Sequence, residues 1–285
     1  MIPAYKGLAS NMMLNPLHKN HLEKIPTSKA HAITLNLEDG VAPKRKKEAL
    51  TNIADFLSQN LKDLPFLIVR TNPLNEGGKD ELEFLNTFNF NAVRVAKVET
   101  KEDIKDALRV LRDDKELHIS LETKEAFYDI RDMKIGDRFT TANLGILDLL
   151  TSLNLPQSLL TLDNPTIEYI LSKFLVDCKS VGLNPISFMF QDYRDIDTFE
   201  KWCEKEKMMG FESKACMGPA QVEVANRVFG VNHEKIKKAK EIVRLFQKNS
   251  EKGISGFMSE NYGFIDEPIY RDALLVLNKE VIVTK

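Results

Sequence analysis

The chain lacks most of the short signatures that announce a function. It contains no GxGxxG and no GxxxxGK[ST], so neither a dinucleotide cradle nor a phosphate loop opens any of its helices. Its three cysteines, Cys178, Cys203 and Cys216, are odd in number, widely spaced and free of any CxxC pair. That pattern argues against a disulfide framework or a cysteine zinc site and fits reduced thiols in a cytoplasm. The five histidines, His18, His21, His31, His118 and His233, show no HExxH spacing, which removes the common histidine zinc motif as well. No apolar run is long enough to cross a bilayer, and MIPAYKGLASNMMLNP at the N-terminus has no continuous apolar stretch of signal-peptide length; the expectation is a cytoplasmic chain without a membrane partner. A net charge of -2 with no long basic stripe argues against nucleic acid as the main partner. KRKK (44–47) reads as the solvated first turn of a helix.

What the chain does have is a regular alternation. Its 285 residues, 43% apolar and 29% charged, are enough for one large core. Short β-rich runs stand at 8–14, 32–38, 66–71, 92–96, 117–121, 139–143, 186–190 and 213–217. Helical patterns lie between them, such as 44–60, 101–114, where Ile104, Ala107, Leu108 and Leu111 share one face, and 164–182. Eight strands each followed by a helix predict an α/β fold of the (β/α)₈ TIM barrel type. An open doubly wound sheet is the main rival, and it would normally carry a Gly-rich first turn. Beyond the barrel, expected over 1–230, a C-terminal extension over 231–285 combines helices at 233–249 and 266–279 with a Gly-containing hairpin or flap at 253–268. Such an extension commonly serves as a lid or an oligomer contact.

A barrel carries its chemistry at the carboxyl ends of its strands, and those ends are polar here. Glu38 and Asp39 follow the second run, Arg70 and Asn72 the third, Lys97 and Glu99 the fourth, Glu122 and Thr123 the fifth, Asn143 and Asp148 the sixth. Each alone could be a helix cap or a turn former. Together they put five carboxylates on one rim with one Arg and one Lys, a costly convergence of like charge that a divalent cation would relieve. Hard oxygen ligands point to Mg²⁺, with Mn²⁺ as the alternative. Metal, carboxylates and guanidinium together describe a site for a small anionic carbonyl compound.

Seven segments in order resemble one family. LNLEDGVAPKRKKEAL (35–50), IVRTNPL (68–74), AKVET (96–100), ISLETKEAF (119–127), LGILDLL (144–150), ESKACMGPAQVEVANRVF (212–229) and GFIDEPIYRDAL (263–274) are similar to motifs of the citrate lyase beta subunit-like proteins in the HpcH/HpaI aldolase and malyl-CoA lyase superfamily. The resemblance implies a Mg²⁺-dependent TIM barrel that cleaves or forms carbon–carbon bonds, acting on a keto acid or an acyl-CoA. It assigns the metal to Glu122 and Asp148, the substrate carboxylate or keto end to Arg70, and an acid or base to Asp266 of a neighbouring subunit; Glu38, Asp39 and Lys97, on the same rim as Arg70, are candidate substrate contacts. The competing role of Asp266 is a helix N-cap. A homotrimer or larger homo-oligomer is implied too.

The chain departs from that pattern at three places. SNMMLNP (10–16) lacks the family's Pro-Gly turn at Asn15-Pro16, Leu147 replaces a glutamate, and Gly218 replaces a histidine. Relatives use the first and last of these regions around the acyl-CoA, so the use of a CoA thioester stays open here. Leu147 and Gly218 motivate an alternative: a catalytically degenerate protein that binds metal and keto acid as a metabolite sensor.

Overall fold

Eight parallel strands wrap into a nearly closed barrel in the computed structural model, which describes residue 5 and residues 7–59, 61–230 and 233–283. They are β1 (Ser10–Leu14), β2 (Ala32–Asn36), β3 (Phe66–Thr71), β4 (Ala92–Val95), β5 (Glu116–Leu121), β6 (Phe139–Leu144), β7 (Asn184–Ile186) and β8 (Lys214–Cys216). Hydrogen bonding orders them β7-β6-β5-β4-β3-β2-β1-β8, and a single parallel bridge between Ser187 and Lys214 joins the two ends. This is the expected (β/α)₈ arrangement. One difference is instructive: the apolar run 186–190 lies mostly beyond β7. Only Asn184–Ile186 pairs with β6, while Phe188 is buried against Trp202, with ring centroids 5.0 Å apart. Apolarity there marks burial, not a hydrogen-bonded ladder.

The crossover helices are α1 (Lys19–Leu22), α2 (Lys46–Leu57), α3 (Gly78–Leu85), α4 (Lys101–Val110), α5 (Lys124–Met133), α6 (Ile146–Ser152), α7 (Pro165–Ser180), α8 (Ile196–Met209) and α9 (Pro219–Phe229). Local sequence sets their ends. Thr100 and Asp103 form a reciprocal capping box on α4, and Asn164 caps α7 from just before Pro165. Gly210, at φ 109°, ends α8 in the left-handed conformation that glycine adopts without strain. Ile104 and Ala107 of α4 and Ile167, Leu171 and Phe174 of α7 are buried against the barrel strands, each large side chain contributing about 1.5–3 kcal/mol of transfer free energy.

The amino-terminal end of the barrel is sealed by a polar plug. Glu116 accepts from the Tyr5 N–H at 3.1 Å and from Thr140 Oγ1 at 2.5 Å, and shares a hydrogen bond with His118 Nε2 at 2.9 Å. The Tyr5 hydroxyl meets Ser213 Oγ at 3.1 Å. Burial lowers the basicity of His118 and raises the Tyr5 phenol. A separate buried ion pair joins Lys214 on β8 to Glu206 on α8 at 2.5 Å, with the ammonium 3.7 Å above the Phe188 ring.

Residue contacts divide the chain into Met1–Phe229 and Gly230–Lys285. The second unit holds α10 (His233–Ser250), an antiparallel hairpin of β9 (Gly256–Ser259) and β10 (Gly263–Asp266), and α11 (Glu267–Val283). Ile242, Phe246, Ile265 and Ala273 form its small core, with Phe246 stacked on Tyr270 at 4.4 Å. Among the described residues, no helix is long and apolar enough to cross a membrane.

Candidate active site

A cavity of about 910 Å³ opens at the carboxyl ends of the strands, with Arg70, Arg94, Ser120, Glu122, Asn143 and Asp148 in its wall. Parallel strands bring these residues together because each loop leaves the sheet at the same end. Arg70, near the end of β3, is the centre of the arrangement. Its Nη1 lies 2.9 Å from Glu38 Oε2 and its Nη2 3.2 Å from Glu122 Oε2. Two carboxylates, one just past β2 and one just past β5, therefore fix one guanidinium from either side, a rigid presentation of positive charge.

Lys97 tightens the cluster twice. Its ammonium lies 2.9 Å from Glu38 Oε1 and 3.6 Å from Asp39 Oδ2. Its backbone takes the left-handed conformation at φ 48°, which costs a non-glycine residue about 1–2 kcal/mol and accompanies donation of its own N–H to Glu122 Oε1 at 2.8 Å. Glu38 is only 2% exposed and does not border the cavity; it stands behind Arg70, with its Oε2 also accepting the Asp39 N–H. Its effect on a ligand is indirect, through Arg70 and Lys97. Asp39 does border the cavity.

The electrostatics follow from this packing. Burial pushes the Glu122 carboxyl above its ordinary range, the Arg70 charge and the Lys97 N–H oppose that, and the Glu38 and Asp148 carboxylates add to it. For Glu38 the balance is reversed: burial raises it, but Arg70, the Asp39 N–H and Lys97 together hold it below its usual value. Asp39 is raised by burial and by Glu38 beside it. Burial lowers Lys97, yet its pairing with Glu38 and Asp39 leaves it more basic than usual.

Asp148 stands in the first turn of α6, four residues past β6, exposed and without a hydrogen-bond or ion-pair partner among the described residues. Glu122 and Asp148 both border the cavity and interact electrostatically. Between them Gly145 supplies clearance: a Cβ there would sit 2.6 Å from Glu122 Oε2, so any larger residue would displace the carboxylate. Two carboxylates with oxygen donors, one of them unpaired, fit a hard divalent ion that completes its shell from substrate and water. Among the described residues no three His, Cys, Asp or Glu side chains gather for a metal.

Other rim residues turn out to be structural. Thr123 caps α5 by accepting the Ala126 N–H at 3.2 Å, and Asn72 donates to Leu37 O at 3.3 Å while its N–H goes to Glu81. Asp266 lies on the hairpin of the second unit, where its Oδ1 accepts the Ile269 N–H at 3.2 Å and caps α11. The departures at Asn15, Leu147 and Gly218 all border the cavity. Asn15 ties the end of β1 to the next loop by donating to Gly40 O at 2.9 Å. A Cβ on Gly218 would meet nothing within 4 Å, so this glycine leaves space and answers no steric demand.

The residue that sequence reasoning missed is Arg94. It is the register partner of Arg70 on β4, is 4% exposed, borders the cavity and donates from Nη1 to Asn143 Oδ1 at 3.0 Å. Burial, with the neighbouring Arg70 charge, pulls its pKa down to about 9. The available signal was a charge inside the apolar run AVRVA, in the same relation to its strand as Arg70.

The chain is similar to known proteins in sequence and in fold. The family model described as HpcH/HpaI aldolase/citrate lyase matches residues 10–219. A (3S)-malyl-CoA thioesterase of Cereibacter sphaeroides is 28% identical over 233 residues, 81% of this chain and 80% of that protein. The mitochondrial citramalyl-CoA lyase of Homo sapiens is 27% identical over 273 residues, 88% of this chain and 79% of that one. Among solved structures, a citrate lyase from Burkholderia xenovorans superposes with a TM-score of 0.84 at 16% identity, covering 100% of this chain and 94% of that chain. Protein CitE from Mycobacterium tuberculosis, in complex with magnesium, acetoacetate and coenzyme A, gives a TM-score of 0.74 at 19% identity, covering 95% and 97%. At these identities the two structures speak for the barrel fold.

Proposed function

The chain belongs to the HpcH/HpaI aldolase/citrate lyase family, and from that premise we propose that it is a magnesium-dependent carbon–carbon lyase. It cleaves a small hydroxy-acyl compound, as the CoA thioester, into a 2-oxo acid and an acyl fragment, or runs the reverse condensation. The observation that carries this reading is Arg70, clamped between Glu38 and Glu122 on a cavity that Asp148 also borders.

In the cleavage direction the substrate hydroxyl loses its proton, the adjacent C–C bond breaks, a carbonyl forms and the electron pair passes to the acyl fragment as an enolate. Negative charge grows on oxygen throughout. Arg70 binds the carboxylate or keto oxygen of the 2-oxo acid portion, and its fixed guanidinium needs no reorganisation as that charge develops. Glu38 and Lys97 hold Arg70 and Glu122 in register. Glu122 and Asp148 are the residues that would hold Mg²⁺, which supplies Lewis-acid polarisation of the substrate oxygens. Asp266 is our candidate for the acid or base, delivered from a neighbouring copy in a homotrimer or larger assembly. Light scattering reads the assembly, and loss of activity in D266N with unchanged Mg²⁺ affinity tests the residue. The reading includes a cytoplasmic setting, consistent with three free, buried cysteines.

Incubation with Mg²⁺, acetyl-CoA or propionyl-CoA and oxaloacetate, glyoxylate or pyruvate, followed by mass spectrometry, should yield a new hydroxy-acyl-CoA. A second reading, a metabolite-binding protein without turnover, draws on Leu147 and Gly218, because both departures face the cavity. Keto-acid binding without any product across the panel supports the sensor. Release of free CoA without C–C bond chemistry supports a thioesterase, and either result overturns the lyase.

A further inference from the structure

Arg70 and Arg94 are neighbours in register on β3 and β4, so they project from the same face of the sheet into the barrel. Their surroundings differ. Arg70 has two carboxylates against it, at 2.9 and 3.2 Å. Arg94 has no carboxylate within ion-pair distance among the described residues, and its one hydrogen bond goes to the neutral Asn143 Oδ1; its buried Nε, like that of Arg70, has no partner. Yet the residue is 4% exposed and borders the cavity.

Of the nearby buried groups, Asn11 Nδ2, a donor only, meets no partner at hydrogen-bond geometry. Asn143 has already committed its side-chain oxygen to Arg94. Glu116, the carboxylate on the next strand inward, is saturated by Tyr5, His118 and Thr140. A buried guanidinium with spare donors and no carboxylate within ion-pair distance, supported only by the more distant Glu122 and Glu38 charges, is costly unless an anion arrives to meet it. An apolar side chain of similar volume would have filled the position without that cost.

We propose that Arg94 is a specificity-determining residue that receives a second carboxylate, so that the 2-oxo acid handled by this cavity is a dicarboxylate. The inference rests on the lyase reading, which assigns the first carboxylate or keto group to Arg70. A 2-oxo acid ending in a methyl group or a hydrogen would leave Arg94 bare in a desolvated wall. A dicarboxylate gives it a charge-assisted pair.

The test is calorimetric titration of the full chain, with Mg²⁺ present, by oxaloacetate, pyruvate and glyoxylate, with 2-oxoglutarate as a chemically stable second dicarboxylate. The wild-type chain should bind oxaloacetate at least about tenfold more tightly than pyruvate. Arg94→Gln should bring that ratio close to one while pyruvate affinity changes less than about threefold, and Arg94→Lys should keep part of the preference. A wild-type chain that binds pyruvate as tightly as both dicarboxylates overturns the proposal whether or not the variants fold, and leaves the lyase reading standing. An R94Q variant that weakens every ligand equally overturns it too, since that is a general loss of field or fold. Absence of binding by any keto acid to the wild-type chain overturns the proposal and the reading together.

Discussion

The two ends of the barrel treat buried charge in opposite ways. At the amino end, Glu116 is enclosed by the Tyr5 N–H, His118 and Thr140, and nearby Lys214 and Glu206 neutralise each other at 2.5 Å with no exposure. At the carboxyl end, Glu38, Asp39 and Glu122 face Arg70 and Lys97, while on the same cavity wall Asp148 is unpaired and Arg94 has no carboxylate within ion-pair distance among the described residues. At the closed end the charged groups are engaged within the protein, and although His118 Nδ1 and Glu206 Oε2 are buried without hydrogen-bond partners, neither residue borders the cavity. At the open end uncommitted charge borders the cavity and keeps binding capacity, at the expense of stability. The difference between the ends, more than the number of charges at either, distinguishes the structural group from the candidate site.

That contrast can be broken at several points. The largest effect is expected at the closed end: Lys214→Met should cost about 3–5 kcal/mol in urea unfolding, because Glu206 is left charged and buried, and K214M/E206L should recover much of the loss. At the open end, Asp148→Asn should lower Mg²⁺ affinity more than about 100-fold in calorimetry with stability little changed, since Asp148 is exposed and unpaired. If D148N binds the ion normally, the metal assignment is wrong.

Mg²⁺ binding should also depend on pH through Glu122. Protons and metal compete for that carboxylate, and its pKa lies above the ordinary 4.5 because of burial and the nearby Glu38 and Asp148 charges. Affinity should therefore fall as pH drops through a value higher than that of an exposed glutamate. An unperturbed midpoint would contradict the buried position. Gly145→Ala should weaken Mg²⁺ by about tenfold, as the new Cβ displaces Glu122 Oε2 from 2.6 Å. The smallest change is expected far from both ends: Thr100→Ala removes the capping box of α4, costing about 1 kcal/mol in unfolding with no effect on metal affinity.

The barrel was legible because its signals are local. The eight β-rich runs each overlap an observed strand, and Asn164-Pro165 and Thr100 mark helix starts as their chemistry requires. The run 186–190 shows the limit, since its phenylalanines face the core beyond the end of β7. In the site, Arg70, Asp39, Glu122 and Asp148 reach the cavity wall. Glu38 was visible as an acid at a strand end, but its place behind Arg70 depends on a contact between β2 and β3 that residue spacing does not encode. Arg94 was hidden by the apolar run around it, although its register with Arg70 makes the two a pair.

Sequence alone determined the period of the fold, the element boundaries within a few residues, and the polar chemistry of the strand ends, because hydrophobic spacing, caps and turns act over a few residues. Tertiary structure decided which of those polar groups neutralise one another and which remain available. Glu206 finds Lys214 and Glu116 finds Tyr5, while Asp148 and Arg94 find no carrier of opposite charge within ion-pair distance among the described residues. The physical reason is that pairing depends on distances between strands and helices remote in sequence, and only closing the barrel sets those distances.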